Sequence, residues 1–255
     1  MQIFVWNRRF LLRAPSFVLP RAAKPHKRLS ATILVARDRP FAIDGIGNAD
    51  QRFRGLIIAP NVARSAIQAQ DSGFYLLDAG ITTEAYRRLQ PVLAPGAARE
   101  LAKEELSRIR PLLANDELDC ANAARLFDAI VDALAGSGTS APPRDPRLEA
   151  AMKLVESLPL DELTLPLLAS EAGVSPSRLR ALFQQSFGCA PAQYMRWVSA
   201  WKAIRAWRIG MRLTDVAHDA GFHDLAHIDH AIRELFGMSP SMIALGANVR
   251  FQQCD

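Results

Sequence analysis

At 255 residues the chain exceeds the roughly 100–200 residues that one domain usually holds, so two domains are expected. A composition 49% hydrophobic and 22% charged excludes bulk disorder and supplies enough apolar surface for a core without staples. The formal net charge of +5 permits a nucleic-acid or anionic-surface partner, and where that charge sits matters more than its sum.

The first apolar run is broken by Asn7, Arg8, Arg9 and Arg13, which leaves neither a signal-peptide core nor a membrane span and points to a cytoplasmic protein. Arg8, Arg9, Arg13, Arg21, Lys24, Lys27 and Arg28 form an acid-free N-terminal segment. Such a run is more often a solvated surface than an arm that adds salt-sensitive phosphate contacts. Further on, SATILVA (30–36), RGLIIAP (54–60) and FYLLDAG (74–80) are short apolar or β-branched runs separated by turn formers such as DGIGNAD. They predict the strands of a small β-rich unit. Gly45-Ile46-Gly47-Asn48 lacks the third glycine, the lysine and the following helix of a phosphate loop, and reads as a turn.

After Thr82 and Thr83 the apolar spacing becomes helical, through EAYRRL, then residues 97–113, then residues 120–134. In the last of these Ala123, Leu126, Phe127, Ile130, Val131 and Leu134 keep one apolar face, which needs a partner, the chain's own sheet more readily than a second subunit. The breakers in AGSGTSAPPRDPR (135–147) end the helix and mark a linker between residues 1–134 and 148–245, with 246–255 as a tail. Cys120, Cys189 and Cys254 are odd in number and without paired spacing, and read as thiols of a reducing compartment.

The stretch AGVSPSRLRALFQQSFGCAP (172–191) is echoed downstream. Ala172-Gly173 matches Ala220-Gly221 at an offset of 48; Leu179 with Ile228, Phe183 with Ile232, Phe187-Gly188 with Phe236-Gly237, and Pro191 with Pro240 match at 49. Each copy opens with a short amphipathic helix carrying Ala169 or Ala217 four residues before the glycine. The small side chain lets a second helix cross closely, and the glycine accepts the left-handed conformation of a three- or four-residue turn. That is helix-turn-helix grammar. In the first copy Ser175 is the N-cap and Pro176 the first helical residue, while Leu179, Leu182 and Phe183 point inward. Ser177, Arg180, Ala181 and Gln184 then face outward, with Arg178 on the flank, within reach of base edges or phosphates in a major groove. PAQYMRWVSAWKAIRAWRI (191–209) has no internal proline or glycine and predicts a connecting helix of about 27 Å. Such a spacer sets two units into successive major grooves, about 34 Å apart on one face of DNA.

Residues 146–245 thereby resemble the DNA-binding domain of AraC/XylS-family transcription regulators. Two helix-turn-helix motifs, at about 164–187 and 213–236, are joined by a long helix, with Gly221, Phe222 and Asp224 in a GF-x-D pattern and Phe236 to Pro240 in a closing FG-x-x-P. The resemblance implies an α+β two-domain protein, with a small cupin-like β-rich N-terminal domain carrying helices and an all-α C-terminal domain. It also implies sequence-specific binding of double-stranded DNA in a bacterial cytoplasm, with residues 1–134 as the regulatory or dimerisation domain. A small-molecule effector, a second copy of the chain and RNA polymerase are the further partners it suggests, and a membrane is not among them. Aligned on the family pattern, the base-contacting positions of the second motif are Leu225, Ala226, Asp229 and His230, beside Ser177, Arg180, Ala181 and Gln184 of the first. Arg178, Arg196 and Lys202 are the phosphate contacts expected of the basic region.

Charge separates the two motifs. Residues 172–214 hold seven basic side chains and no acid, whereas 215–234 hold five acids against Arg233 alone, so the first motif is expected to supply most affinity and specificity. Trp197, Trp201 and Trp207 of the connecting helix read as packing rather than a stacking platform for bases. His223, His227 and His230 share a helix face, yet no cysteine is near and the HExxH order is absent. Residues 1–217 contain only His26, too few for a cupin metalloenzyme, and no nucleophile has a base partner at interpretable spacing. Neither an enzyme nor a metal or other cofactor is expected; the alternative is an architectural DNA binder or a protein adaptor.

Overall fold

A computed structural model describes residues 1–14, 17–18, 25–69, 73–114, 118–136, 143–207, 211–241 and 249–254. The chain forms two compact units, Met1–Ala141 together with Met242–Asp255, and Pro142–Ser241.

The strands of the first unit are β1 (Gln2–Trp6), β2 (Arg9–Ala14), β3 (Phe17–Val18), β4 (Ser30–Ala36), β5 (Ala42–Ile43), β6 (Gly55–Ile58), β7 (Ile67–Ala69), β8 (Phe74–Gly80), β9 (Ala98–Glu100) and β10 (Arg250–Gln253). One sheet runs β10-β1-β2-β8-β4-β6-β9 and a smaller one β3-β7-β5. Three helices, α1 (Glu84–Leu89), α2 (Lys103–Ile109) and α3 (Cys120–Ala135), complete the unit. Every residue of β4 and β8 is buried, which is why both read as near-continuous apolar runs rather than as alternations. Strand register assigns the faces. Phe10 and Thr32 both lie opposite Asp78, and Leu12 and Leu34 opposite Leu76, so these six share one face. The other face carries Trp6, whose ring meets Phe127 of α3 at 6.2 Å, and Tyr75, whose hydroxyl donates to the Leu113 carbonyl.

The apolar face of α3 is buried from Ala123 to Leu134 in the pattern its spacing predicts. It packs on the chain's own unit, so this face needs no second subunit. Four expectations are overturned here. Ala98–Glu100, placed in a helix by the spacing of residues 97–113, is instead a strand, because β6 offers it backbone partners from Ile58↔Ala98 to Leu56↔Glu100 and pairing overrides local propensity. The basic N-terminal segment, read as a solvated surface, is instead tied into the fold: Arg9 pairs with Asp128 at 2.7 Å over the Trp6 and Phe127 rings, Arg8 donates to Thr82, and Arg28 is buried against Asp78. Arg21 and Lys24 lie outside the described residues. The C-terminal residues do not trail away, since β10 pairs parallel to β1 and Cys254 is joined to Cys120 by a disulfide across 134 residues. Two of the three cysteines are therefore not thiols; Cys189 is free and buried, and burial pushes its thiol up to about 12.

The second unit contains α4 (Pro146–Ser157), a 3₁₀ turn at Leu160–Glu162, α5 (Leu165–Glu171), α6 (Pro176–Phe187), α7 (Pro191–Ala206), α8 (Leu213–Asp219) and α9 (Leu225–Phe236). Its spine is α7, which packs against α4, α6, α8 and α9. Aromatic contacts run along it: Tyr194 stacks on Phe187 at 5.6 Å, Trp197 meets Trp201 at 6.4 Å, and Trp201 meets Phe236 at 5.8 Å. The tryptophans are packing residues, as their spacing suggests. Described helix ends at Ala206, with Trp207 as its cap; Arg208 and Ile209 lie outside the described residues. Among the described residues no helix is long and apolar enough to cross a membrane.

Candidate nucleic-acid interface

The repeated segment builds the same backbone twice. After α5, Gly173 (φ 62°) donates to the Ser170 carbonyl and Val174 to that of Ala169; after α8, Gly221 (φ 75°) donates to His218 and Phe222 to Ala217. Ala169 and Ala217 are both buried at 2% exposure, where the close crossing requires a small side chain. Gly188 and Gly237 then end α6 and α9 in the left-handed conformation. Each second helix is capped by a side chain, Ser175 accepting from the Arg178 amide at 3.3 Å and Asp224 from the His227 amide at 2.7 Å. That bond, with His223 beside it, holds the Asp224 carboxyl below its ordinary range.

On α6 the inward set is Leu179, Leu182, Phe183 and Phe187, and Ser177, Arg178, Arg180, Ala181 and Gln184 are all exposed. The structure thus brings together on one helix the five residues that spacing selects. Gln185, one turn beyond Ala181, is exposed as well and lengthens this polar face, a position the helical period alone would have found. Arg196 on α7 is exposed. Lys202 is placed differently: its ammonium donates to the Val155 and Leu158 carbonyls at 2.6 and 2.7 Å, closing the C-terminus of α4. Those contacts occupy the cation that sequence reasoning assigns to phosphate. Asp145, at the start of α4, is bound by the Arg147 guanidinium at 2.6 and 2.9 Å. That contact first, the Arg147 amide second and Arg178 more weakly hold its carboxyl at about 2.

The second helix presents a different surface. Leu225, Ala226 and His230 are exposed on α9, Leu225 at 46%. Asp229 is half-buried and already paired with Arg233 one turn on, and His230 Nε2 lies 3.5 Å from Glu234. The His227 ring stands edge-on to Phe222 at 5.0 Å, so the shared histidine face is partly taken up in packing. Among the described residues no group of three His, Cys, Asp or Glu side chains is placed to hold a metal ion.

Residues 168–244 match a family model described as a helix-turn-helix domain. The HTH-type transcriptional regulator GbdR of Pseudomonas aeruginosa is 30% identical over 98 residues, covering 37% of this chain and 26% of its own length. The chain therefore spans about a quarter of the curated relatives it matches. Over nearly the whole chain the fold is similar to that of ToxT from Vibrio cholerae. One ToxT structure aligns at a TM-score of 0.53 with 8% identity, covering 93% of this chain and 97% of ToxT. Another, of wild-type ToxT with an unsaturated fatty acid bound, aligns at 0.56 with 10% identity, covering 93% and 95%. With a β-rich first unit of ToxT-like fold and two helix-turn-helix motifs on one connecting helix, the chain carries over residues 168–244 a helix-turn-helix domain similar to that of AraC-type regulators.

Proposed function

We propose that the protein is a sequence-specific regulator of transcription that reads duplex DNA chiefly through α6. The observation that carries this reading is the exposed set Ser177, Arg178, Arg180, Ala181 and Gln184 on a capped, rigid helix inside an acid-free stretch. Arg180 and Gln184 have the donors and acceptors to discriminate guanine and adenine edges, Ser177 suits either, and Ala181 suits a thymine methyl. Arg178 and Arg196 hold phosphate and set the register. On α9, Leu225, Ala226, Asp229 and His230 make the weaker contribution, because Asp229 is engaged by Arg233 and the surrounding acids repel phosphate. Lys202 is left out of the interface on account of its two carbonyl partners.

The first unit acts as the controlling half, responding to a small effector or to a second copy of the chain, and the bound regulator acts on RNA polymerase. That ToxT, a protein of similar fold, has been seen with an unsaturated fatty acid bound supports control by a small ligand. A DNA-reading role sets the protein with the chromosome in the cytoplasm, and no catalytic step is assigned to it.

Selection of bound fragments from a randomised duplex library at physiological salt, with footprinting of the winners, tests the reading. An enriched motif whose strongest positions fall in the groove occupied by α6 is the expected result. Salt-sensitive binding without any enriched sequence would replace it with an architectural role.

A further inference from the structure

Among the described residues, the inner face of the β4–β8 pair carries more buried positive than negative charge. Arg28, Ser30 and Thr32 follow one another at two-residue spacing and are 4%, 1% and 0% exposed. Opposite Thr32 stands Asp78, 3% exposed, and Arg64, 2% exposed, reaches the same point from a neighbouring loop. Arg28 Nη1 donates to Asp78 Oδ2 at 2.9 Å, Thr32 Oγ1 donates to the same oxygen at 2.9 Å, and Arg64 Nη2 donates to Thr32 Oγ1 at 2.5 Å. His26 is bridged to Arg64 through two backbone hydrogen bonds of 2.9 and 3.0 Å. Burial, then the charges of Arg28 and Arg64, depress its imidazole to about 3, so it adds no charge and stays neutral.

Among the described residues, two buried guanidiniums therefore face one buried carboxylate. Burial and the repulsion of Arg28 lower even Arg64 to about 9, with Asp78 opposing. An uncompensated buried cation is among the least favourable groups a core can hold. Among the described residues, three buried polar atoms of this cluster also lack a hydrogen-bond partner, namely His26 Nε2, Arg28 Nε and Ser30 Oγ. Between the two edge strands the side chains sharing this face are otherwise apolar, among them Phe10, whose ring lies 5.6 Å from the Arg28 guanidinium carbon, with Leu12, Leu34, Ile58 and Leu76; Glu100 of β9 and Gln253 of β10 lie on it at the opposite edges.

We propose that Arg28 and Arg64 form the recognition end of a site for an organic monocarboxylate, whose apolar body lies along Phe10 and the neighbouring leucines. This deepens the effector-sensing role of the first unit and rests on it. A single negative charge balances the cluster, which a phosphate dianion would overshoot. The planar guanidinium fork matches both oxygens of a carboxylate, and Ser30 Oγ and Arg28 Nε supply further donors. A neutral sugar or alcohol would leave the excess charge in place.

The test uses the full-length protein with its disulfide intact. Melting temperature and calorimetric titration are followed against sodium acetate, benzoate, hexanoate and decanoate at constant pH and ionic strength, with 1-hexanol and inorganic phosphate as controls. Saturable stabilisation by at least one carboxylate, and none by 1-hexanol or phosphate, is expected. Arg64→Met removes the excess charge, so the ligand-free melting temperature should hold or rise while carboxylate affinity falls at least tenfold. Should that variant not fold, Arg28→Lys keeps the charge, loses the fork and is expected to weaken binding several-fold. No saturable binding by any of the four acids overturns the site, as does binding that both variants leave unchanged; an equal response to phosphate overturns the ligand class. None of these outcomes bears on whether α6 reads DNA, which the library selection decides separately.

Discussion

Replacing each of the two turn glycines with alanine separates what the repeated motifs share from what they do not. Gly173 and Gly221 both lie in the left-handed region, at φ +62° and +75°, where an L side chain costs about 1–2 kcal/mol. Around a Cβ at Gly173 nothing lies within 4 Å, so the loss ends there. A Cβ at Gly221 would stand 2.5 Å from Asp161 Oδ1 and 2.9 Å from Asp161 N, and would collide with Leu160 N. These atoms belong to the 3₁₀ turn that Leu160 ties to the Ala220 carbonyl at 3.3 Å. Making room means moving that turn, which adds about 1–3 kcal/mol of overpacking and about 1 kcal/mol for the weakened hydrogen bond. Gly221→Ala is expected to lose about 3–6 kcal/mol against about 1–2 for Gly173→Ala. Urea unfolding followed by tryptophan fluorescence reads the correct unit, because Trp197, Trp201 and Trp207 lie in it and only Trp6 in the other. With a denaturant slope of about 1–3 kcal/mol per molar, the Gly173 variant should shift its midpoint by roughly 1 M and the Gly221 variant by two to three times as much. Equal shifts, or a larger one at Gly173, would refute the reasoning.

Denatured but unreduced protein should show one reactive thiol, Cys189, and reduced protein three. Cys254→Ser opens a loop of 134 residues and is expected to lower the stability of the first unit by up to about 5 kcal/mol, with fast amide exchange across Arg250–Gln253. Three thiols without reductant would contradict the pairing. Arg180→Ala should weaken binding to a selected duplex roughly 5- to 150-fold, the value of one good base contact, and His230→Ala should weaken it less; the reverse order by fluorescence anisotropy would shift dominance to the second motif. Arg196→Ala should reduce the salt slope of binding by about one. Lys202→Met should leave that slope unchanged and destabilise its unit by about 1.5–3 kcal/mol, since two carbonyls lose a charged donor.

The second unit is legible in the sequence because nearly every signal that specifies it is local. Caps at Ser175 and Asp224, left-handed glycines at 173 and 221, and buried alanines four residues earlier all act within one helix-turn-helix. Period and punctuation therefore suffice to place Arg180 and Gln184 on the outside. The strands at 30–36 and 74–80 are legible for a related reason, since a run apolar on both faces has to be covered on both faces. Where partners are distant in sequence, local pattern loses its meaning. Ala98–Glu100 is a strand only because β6 is beside it, and Cys254 reaches Cys120 only because β10 returns to β1.

Arginine shows most clearly why distance matters. In sequence Arg28 and Arg180 look alike, each in a stretch without acids, and the natural inference is that both face solvent or an anion outside the fold. Asp78, fifty residues beyond Arg28 but opposite the same inner face, draws that guanidinium inward, and the fold then adds Arg64 to it. Around Arg180 the acid-free stretch coincides with an exposed helix face, so its charge stays available at the surface. Local composition sets how much positive charge a segment carries. Which anion answers it, a carboxylate within the fold, an effector held inside it or a phosphate backbone, depends on contacts that only the folded chain defines.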